Sequence, residues 1–260
     1  MRIDILTLFP DTVGDVLSES IIGRAQERGF ITVRTHQIRD YTTNRQNQVD
    51  DYPYGGGHGA VLQADPLYRC LAHVVEEAGP GHTIYLSPCG TVFNQAHARR
   101  LAADYDHLIL VCGHYEGVDE RFIDECVDEE ISLGDFVLTG GEIPALAVAD
   151  AVARLLPGVL SDAECFEEES HWAGLLEYPQ YSRPAEWHGR QVPEVLLSGD
   201  HAKVARWRRK QAILRTMRRR PDLFSQLRLP DKTKAEKKFI QELEAEDDEF
   251  RARYAQNLGR

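Results

Sequence analysis

His107-Leu108-Ile109-Leu110-Val111-Cys112-Gly113-His114-Tyr115-Glu116-Gly117 decides how this chain is read. Its first half is a short apolar run of strand length, and the second half breaks at once into a glycine-bearing loop. Two more such loops stand on either side of it. They are Tyr54-Gly55-Gly56-Gly57-His58-Gly59 and Leu133-Gly134-Asp135-Phe136-Val137-Leu138-Thr139-Gly140-Gly141-Glu142. Glycine permits positive φ and lets backbone amides come close to a ligand. A single loop of this kind is ordinarily a tight turn. Three within 90 residues predict a ligand site built from backbone at the carboxyl ends of strands.

Working outward, residues 3–9, 31–35, 83–86, 107–111 and, more weakly, 130–133 carry strand patterns. Between them, 66–78 repeats Leu67, Cys70, Leu71 and Val74 at helical spacing, and 94–103 is a second helix. A third helix is expected over 145–156, opened by Pro144 and ended by Pro157-Gly158. This alternation predicts an α/β domain with a largely parallel sheet over residues 1–160. Past Gly158 the texture changes to an acidic run and then Tyr178-Pro179-Gln180-Tyr181-Ser182-Arg183-Pro184, read as linker and irregular structure. Residues 161–175 are assigned to an interdomain linker and 176–260 to a small α-helical C-terminal domain, with helices over 201–219 and 231–256.

Composition limits the function classes. With 260 residues, 42% apolar and 28% charged, the chain has the makeup of an ordinary folded protein. The most apolar stretch, 143–160, holds Asp150, Arg154, Pro144 and Pro157 and would be costly in lipid, so no membrane role is expected. The N-terminus carries no secretory leader pattern, and the five widely spaced cysteines include no C-x-x-C pair. Both point to a cytoplasmic protein with reduced thiols. The net charge of −12 argues against a polyanionic partner until its distribution is considered. Residues 201–220 contain nine Lys and Arg and no acid, a segment that can attract a phosphate backbone locally.

Two nucleotide motifs fail on context. Gly55-Gly56-Gly57-His58-Gly59-Ala60 formally fits G-x-G-x-x-A, but 50–54 does not read as a strand, and Glu76 and Glu77 fall inside a predicted helix. No G-x-x-x-x-G-K-[ST] is present. An NAD-dependent oxidoreductase therefore ranks last among the readings.

Four stretches together carry a more specific signal: Asp50-Asp51-Tyr52-Pro53-Tyr54-Gly55-Gly56-Gly57, Ile84-Tyr85-Leu86-Ser87-Pro88, the loop that follows Leu110, and 132–142. With Arg154-Leu155-Leu156-Pro157-Gly158-Val159-Leu160, 178–184 and Val195-Leu196-Leu197-Ser198-Gly199-Asp200-His201, they closely resemble the bacterial tRNA (guanine-N1)-methyltransferases of the TrmD family, within the SPOUT trefoil-knot superfamily. The resemblance runs from residue 1 to about 225. It implies a deep trefoil knot in the α/β domain, a homodimer, and a C-terminal helical domain that helps hold tRNA. The implied reaction moves the methyl group of S-adenosylmethionine to N1 of guanosine 37, just 3′ of the anticodon, assisted by Mg²⁺ at a site the sequence does not identify. The implied cofactor residues are Leu86, Ser87, Pro88, Gly113, Glu116, Leu133, Gly134, Asp135, Phe136, Val137, Leu138, Gly140, Gly141 and Pro144.

Guanine N1 bears a proton, so its methylation needs a general base, and charge building on O6 needs a donor. The resemblance implies Glu169 as base and Arg154 as the O6 partner, with Ser170, Arg208, Arg215 and Arg219 toward tRNA. Where the family most often has an Asp-Ser pair, this chain has Glu169-Ser170. His58 replaces a usual proline and His114 a frequent arginine; both are taken as loop histidines. Simpler readings exist for each feature. Glu164, Glu167, Glu168 and Glu169 suit a solvated helix start capped by Ser161, Arg154 suits a helix end, and basic helices are often only solvated. The competing function is a non-catalytic RNA-binding module with a vestigial cofactor loop.

Overall fold

In chain order the strands of the first unit are β1 (Arg2–Thr7), β2 (Thr32–Gln37), β3 (Asp50–Asp51), β4 (Val61–Leu62), β5 (His82–Val92), β6 (His107–Cys112) and β7 (Glu129–Ser132). Five of them form one sheet in the order β2-β1-β6-β5-β7, every neighbouring pair parallel. The computed structural model describes residues 1–160, 169–172, 174–227 and 234–258. It divides into two units, Met1–Ala163 and Glu164–Arg260.

Both faces of the sheet are covered, and β6 demonstrates why a continuous apolar run was needed. Leu108, Leu110 and Cys112 enter one core with Ile3, Ile5, Ile84 and Ile131, while Ile109 and Val111 enter the other with Leu6, Tyr85 and Leu67. Helices α1 (Pro10–Leu17), α2 (Ser20–Glu27), α4 (Gln95–Asp104) and α6 (Glu142–Ala153) supply side chains to the first core. The second is closed by α3 (Ala64–Ala78) and α5 (Glu120–Cys126). Each large apolar side chain so buried contributes roughly 1.5–3 kcal/mol.

Several expectations shift. Strand β5 continues six residues beyond 86, because Leu86 and Thr91 both pair with Ile131 and the residues between them bulge out of the ladder. Helix α6 begins and ends three residues earlier than 145–156: Gly141 is its N-cap, and Pro144 lies in its first turn, where a missing N–H costs nothing. Residues 50–51, read as no strand, pair antiparallel with 61–62. They form a hairpin rather than the strand of a parallel dinucleotide unit, so that exclusion stands.

At the amino edge of the sheet, Asp4 is fully buried. It accepts from Arg2 Nε at 2.6 Å, while His36 Nε2 and His107 Nε2 lie 2.6 and 2.8 Å from its oxygens. Burial alone would raise its pKa, but these partners outweigh that and hold the carboxyl well below the usual range.

The second unit contains a short hairpin, β8 (Glu186–Trp187) with β9 (Arg190–Gln191), and helices α7 (His201–Arg219), α8 (Pro221–Gln226), α9 (Lys234–Glu246) and α10 (Asp248–Leu258). The expected single helix over 231–256 is two. Asp247 breaks it and caps the second by accepting from Phe250 N at 2.9 Å. Ile213, Met217, Phe224, Leu243, Phe250 and Tyr254 form the unit's core. The proposed capping residues Ser161 and Glu164, with Glu167, Glu168 and most of the expected linker, lie outside the described residues. Among the described residues, no helix is long and apolar enough to cross a membrane.

Candidate active site

The carboxyl ends of β5, β6 and β7 open into a cavity of ≈ 400 Å³. Two of the three glycine loops, 113–117 and 133–141, wall it together with the end of β5 and the first turn of α6; the third glycine loop, 54–59, is not in its lining. Its closeness depends on glycine at two points. A Cβ on Gly113 would stand 2.8 Å from the Tyr85 ring, and one on Gly141 would stand 2.7 Å from Cys112 Cα and 2.9 Å from Gly113 N. Gly141 N donates to Gly113 O at 2.8 Å, and 114 pairs antiparallel with 140, so the loops after β6 and before α6 form one wall. Phe136, Val137 and Leu138, all exposed, give the lining an apolar part, and Glu116 and Glu130 contribute carboxylates to it.

Of the residues the sequence pointed to, Leu86, Ser87, Pro88, Gly113, Glu116, Leu133, Phe136, Val137, Leu138, Gly140, Gly141 and Pro144 line this cavity. Gly134 and Asp135 belong to the same loop but not to its lining. Sequence reasoning passed over Tyr85, His114, Tyr115, Glu130 and Ser132, which also line it. Tyr85 was visible only as a strand residue. Burial pushes its phenol up to about 12, so it stays protonated as a donor. Tyr115 holds φ 59°, a conformation no pattern of side-chain types announces. Its hydroxyl accepts from Arg39 Nη2 at 3.3 Å. His114, assigned to a loop, lies with its ring 5.3 Å from that of Phe9 and its Nδ1 3.9 Å from Glu142. Glu142 is held in turn by the Thr7 hydroxyl at 2.8 Å. His58 is exposed.

Arg154 stands at the other end of α6, as its C-cap, donating its backbone N–H to Asp150 O at 3.1 Å. At 1.5 Å per residue it is ~15 Å along the helix axis from Pro144 in the cavity wall. In the second unit, Glu169 and Ser170 open a closed turn. Ser170 Oγ accepts from Glu177 N at 3.0 Å, His171 N donates to Leu175 O at 2.8 Å, and His171 has φ 72°. Helix α7 braces that turn: Arg215 Nη1 donates to Glu177 O at 3.2 Å, and the Arg208 guanidinium lies 4.8 Å over the Tyr178 ring. Arg219 is exposed on the last turn.

The basic segment is less bare than its sequence. Arg206 pairs with Glu242, Lys210 with Glu246, and Arg218 with Asp247 at 2.9 Å and Glu249 at 3.4 Å. These acids come from α9, α10 and the Asp247 cap between them, which thus neutralise one side of α7. Among the described residues, no group of three or more His, Cys, Asp or Glu side chains is placed to hold a metal ion.

The family model for the tRNA (guanine-1)-methyltransferase TrmD matches residues 1–226. The tRNA (guanine-N(1)-)-methyltransferase of Chloroflexus aggregans is 55% identical over 226 residues, 86% of this chain and 88% of that one. That of Ruminiclostridium cellulolyticum is 52% identical over 230 residues, 87% and 97% respectively. The Moorella thermoacetica protein of the same description is 50% identical over 251 residues, 96% and 99%.

Proposed function

The chain belongs to the tRNA (guanine-1)-methyltransferase TrmD family, and on that premise we propose that it methylates N1 of the guanosine directly 3′ of a tRNA anticodon, with S-adenosylmethionine as methyl donor. The single observation that carries the cofactor part is the backbone-walled cavity at the ends of β5, β6 and β7. Its chemistry fits the donor. Phe136, Val137 and Leu138 offer apolar surface to an adenine, the backbone of Gly113 and Gly140 lines the cavity where a ligand edge can reach it, and Glu116 and Glu130 line it for a sulfonium or ribose hydroxyls. The family match over residues 1–226 supports the trefoil knot that the resemblance implies.

When bound, S-adenosylmethionine supplies an electrophilic methyl. The protein must then deliver guanine N1 without its proton. Glu169 accepts that proton, and Arg154 donates to O6 as negative charge moves onto it. Ser170 ties the turn that presents Glu169 to 177, and Arg208 and Arg215 hold the far side of the same turn. Glutamate in place of the usual aspartate performs the same proton transfer with one more methylene of reach. The implied Mg²⁺ finds no ligand cluster among the described residues, and no step is derived through it.

Arg154 lies ~15 Å along α6 from the cavity wall, beyond the reach of its own side chain to a methyl donor held there. That separation supports a homodimer in which Arg154 of one protomer serves the cavity of the other. The test of the reading uses two tRNA transcripts that differ only in guanosine or adenosine 3′ of the anticodon, with labelled S-adenosylmethionine. Methyl incorporation into the guanosine transcript alone is expected. Cofactor binding with no transfer to either transcript would overturn the catalytic reading and favour an RNA-binding module.

A further inference from the structure

A second depression, larger than the methyl-donor cavity, lies beside it and plays no part in the chemistry above. It has a volume of ≈ 1150 Å³, and Val118 and Glu120 line both. Its most unusual feature is aromatic. Tyr54 is fully exposed, Tyr52 is 84% exposed, and Tyr68 is about half exposed on the first turns of α3. A tyrosine ring left in water forgoes the stabilisation its burial would bring, and three around one depression mark a surface kept for a partner.

The two most exposed rings sit on the hairpin of β3 and β4, which the structure fastens to the wall of the methyl-donor cavity. Leu62 N donates to Gly117 O at 2.9 Å, Glu116 N to Ala60 O at 3.0 Å, and Asp119 N to Leu62 O at 2.9 Å. A Cβ on Gly59 would collide with the Glu116 carboxylate. Beyond Tyr54, Gly55, Gly56 and Gly57 take φ of 88°, 79° and 134°. Cβ atoms on Gly55 and Gly56 would meet nothing within 4 Å, so these glycines serve the backbone path and leave their outer face open. The remaining lining decides what enters. Asp51, Glu120 and Glu125 line it, with Asp65 held by Arg69 at 2.8 Å and Arg121 by Asp119 at 2.6 Å. Such a surface repels a phosphate backbone and admits neutral planar groups.

We propose that Tyr52 and Tyr54 form a stacking platform for the unpaired nucleobases that flank the target guanosine. The inference rests on the methyltransferase reading. A guanine that leaves the loop's stack to reach the cavity strips its neighbours of a stacking partner, and aromatic rings beside the cavity replace it. Stacking is indifferent to base identity, so the platform holds the loop open without selecting its sequence.

The test measures steady-state methyl transfer by Tyr52→Ala, Tyr54→Ala and the corresponding Phe variants, with calorimetric S-adenosylmethionine binding in parallel. Each Ala variant is expected to raise KM for tRNA about tenfold. Saturating kcat and cofactor affinity stay unchanged, and Phe restores KM. In transcripts made abasic at each neighbour of the guanosine in turn, the wild-type KM rises similarly, and the matching Ala variant adds nothing further. Ala variants with wild-type KM, or additive losses on abasic transcripts, would overturn the platform while leaving the methyltransferase reading intact. So would lost cofactor affinity, which would make the hairpin a structural support only. Wild-type protein inactive on the guanosine transcript would instead overturn the methyltransferase reading.

Discussion

Alanine at Gly141 isolates the contact on which the cavity depends. Gly141 has φ −81°, so alanine incurs no backbone strain there, and the whole effect is steric. Its Cβ would meet Cys112 Cα at 2.7 Å, Gly113 N at 2.9 Å and Cys112 C at 3.2 Å, all backbone atoms of a buried strand end that cannot rotate aside. The two loops must separate, stretching the 2.8 Å bond from Gly141 N to Gly113 O. Overpacking of this kind costs ~1–3 kcal/mol. At ~2–4 °C per kcal/mol for a chain of this size, Tm should fall by ~2–12 °C. On the proposed reading the methyl donor lies against the displaced wall, so its affinity should fall at least about tenfold, equivalent to ~1.4 kcal/mol. Gly140→Ala is the control, because its Cβ meets His114 Nδ1 at 2.5 Å and the Glu142 carboxylate, which are side-chain ends rather than backbone. Calorimetric titration with S-adenosylmethionine and thermal unfolding of both variants decide the matter. Equal losses in the two, or wild-type affinity in Gly141→Ala, would refute the account of the wall.

Other consequences follow from the same geometry. Glu169→Gln should lower single-turnover methyl transfer ~10²–10⁴-fold with tRNA and cofactor affinity kept; loss in Glu168→Gln instead would move the base by one residue. Arg154→Ala should likewise depress turnover and spare cofactor binding, and mixing it with Glu169→Gln should recover part of the activity if protomers share sites. Neutralising Arg208, Arg215 and Arg219 together should flatten the salt dependence of tRNA binding by about one log unit per lost phosphate contact. An unchanged slope would confine Arg208 and Arg215 to bracing the 177–178 turn. Asp4→Asn should cost ~3–5 kcal/mol in urea unfolding, since it strips a buried carboxylate from Arg2, His36 and His107. Because the folded pKa of Asp4 lies below its unfolded value near ~3.9, its contribution is complete above that pH and fades as pH falls through the folded pKa. The variant should therefore show a shallower acid limb, and an identical one would refute the assignment.

What was legible in the sequence was local or periodic. β6 announced itself because both of its faces are apolar, and α7 begins at residue 201 as expected because Asp200 accepts from Lys203 N and caps it. Half of the cavity lining lies in two of the glycine loops, and the cofactor residues were named through the family resemblance. What was hidden depends on distant residues. The extension of β5 to Val92 follows from pairing with Ile131, which overrides the turn signal of Ser87-Pro88. Eight-residue helices α1 and α2 show too few turns for a period to emerge. The Asp4 cluster joins residues 32 and 103 positions away, so nothing near Asp4 foretells it.

The charge on α7 illustrates how a sequence segment can mislead when taken alone. Nine cations without an acid imply a strong local field, yet Glu242, Glu246, Asp247 and Glu249, from α9, α10 and the cap between them, meet three of them. Exposed pairs of this kind add little stability, ~0–1 kcal/mol each, so holding α7 in place falls to Ile213, Met217, Phe250 and Tyr254. What the pairs do is divide the helix by side. One side is neutralised; another turns Arg208 and Arg215 to the segment that carries Glu169. On the proposed mechanism, the cations that meet RNA and those that hold the general base are then neighbours on one helix, and binding of the substrate backbone there is coupled mechanically to the position of the base.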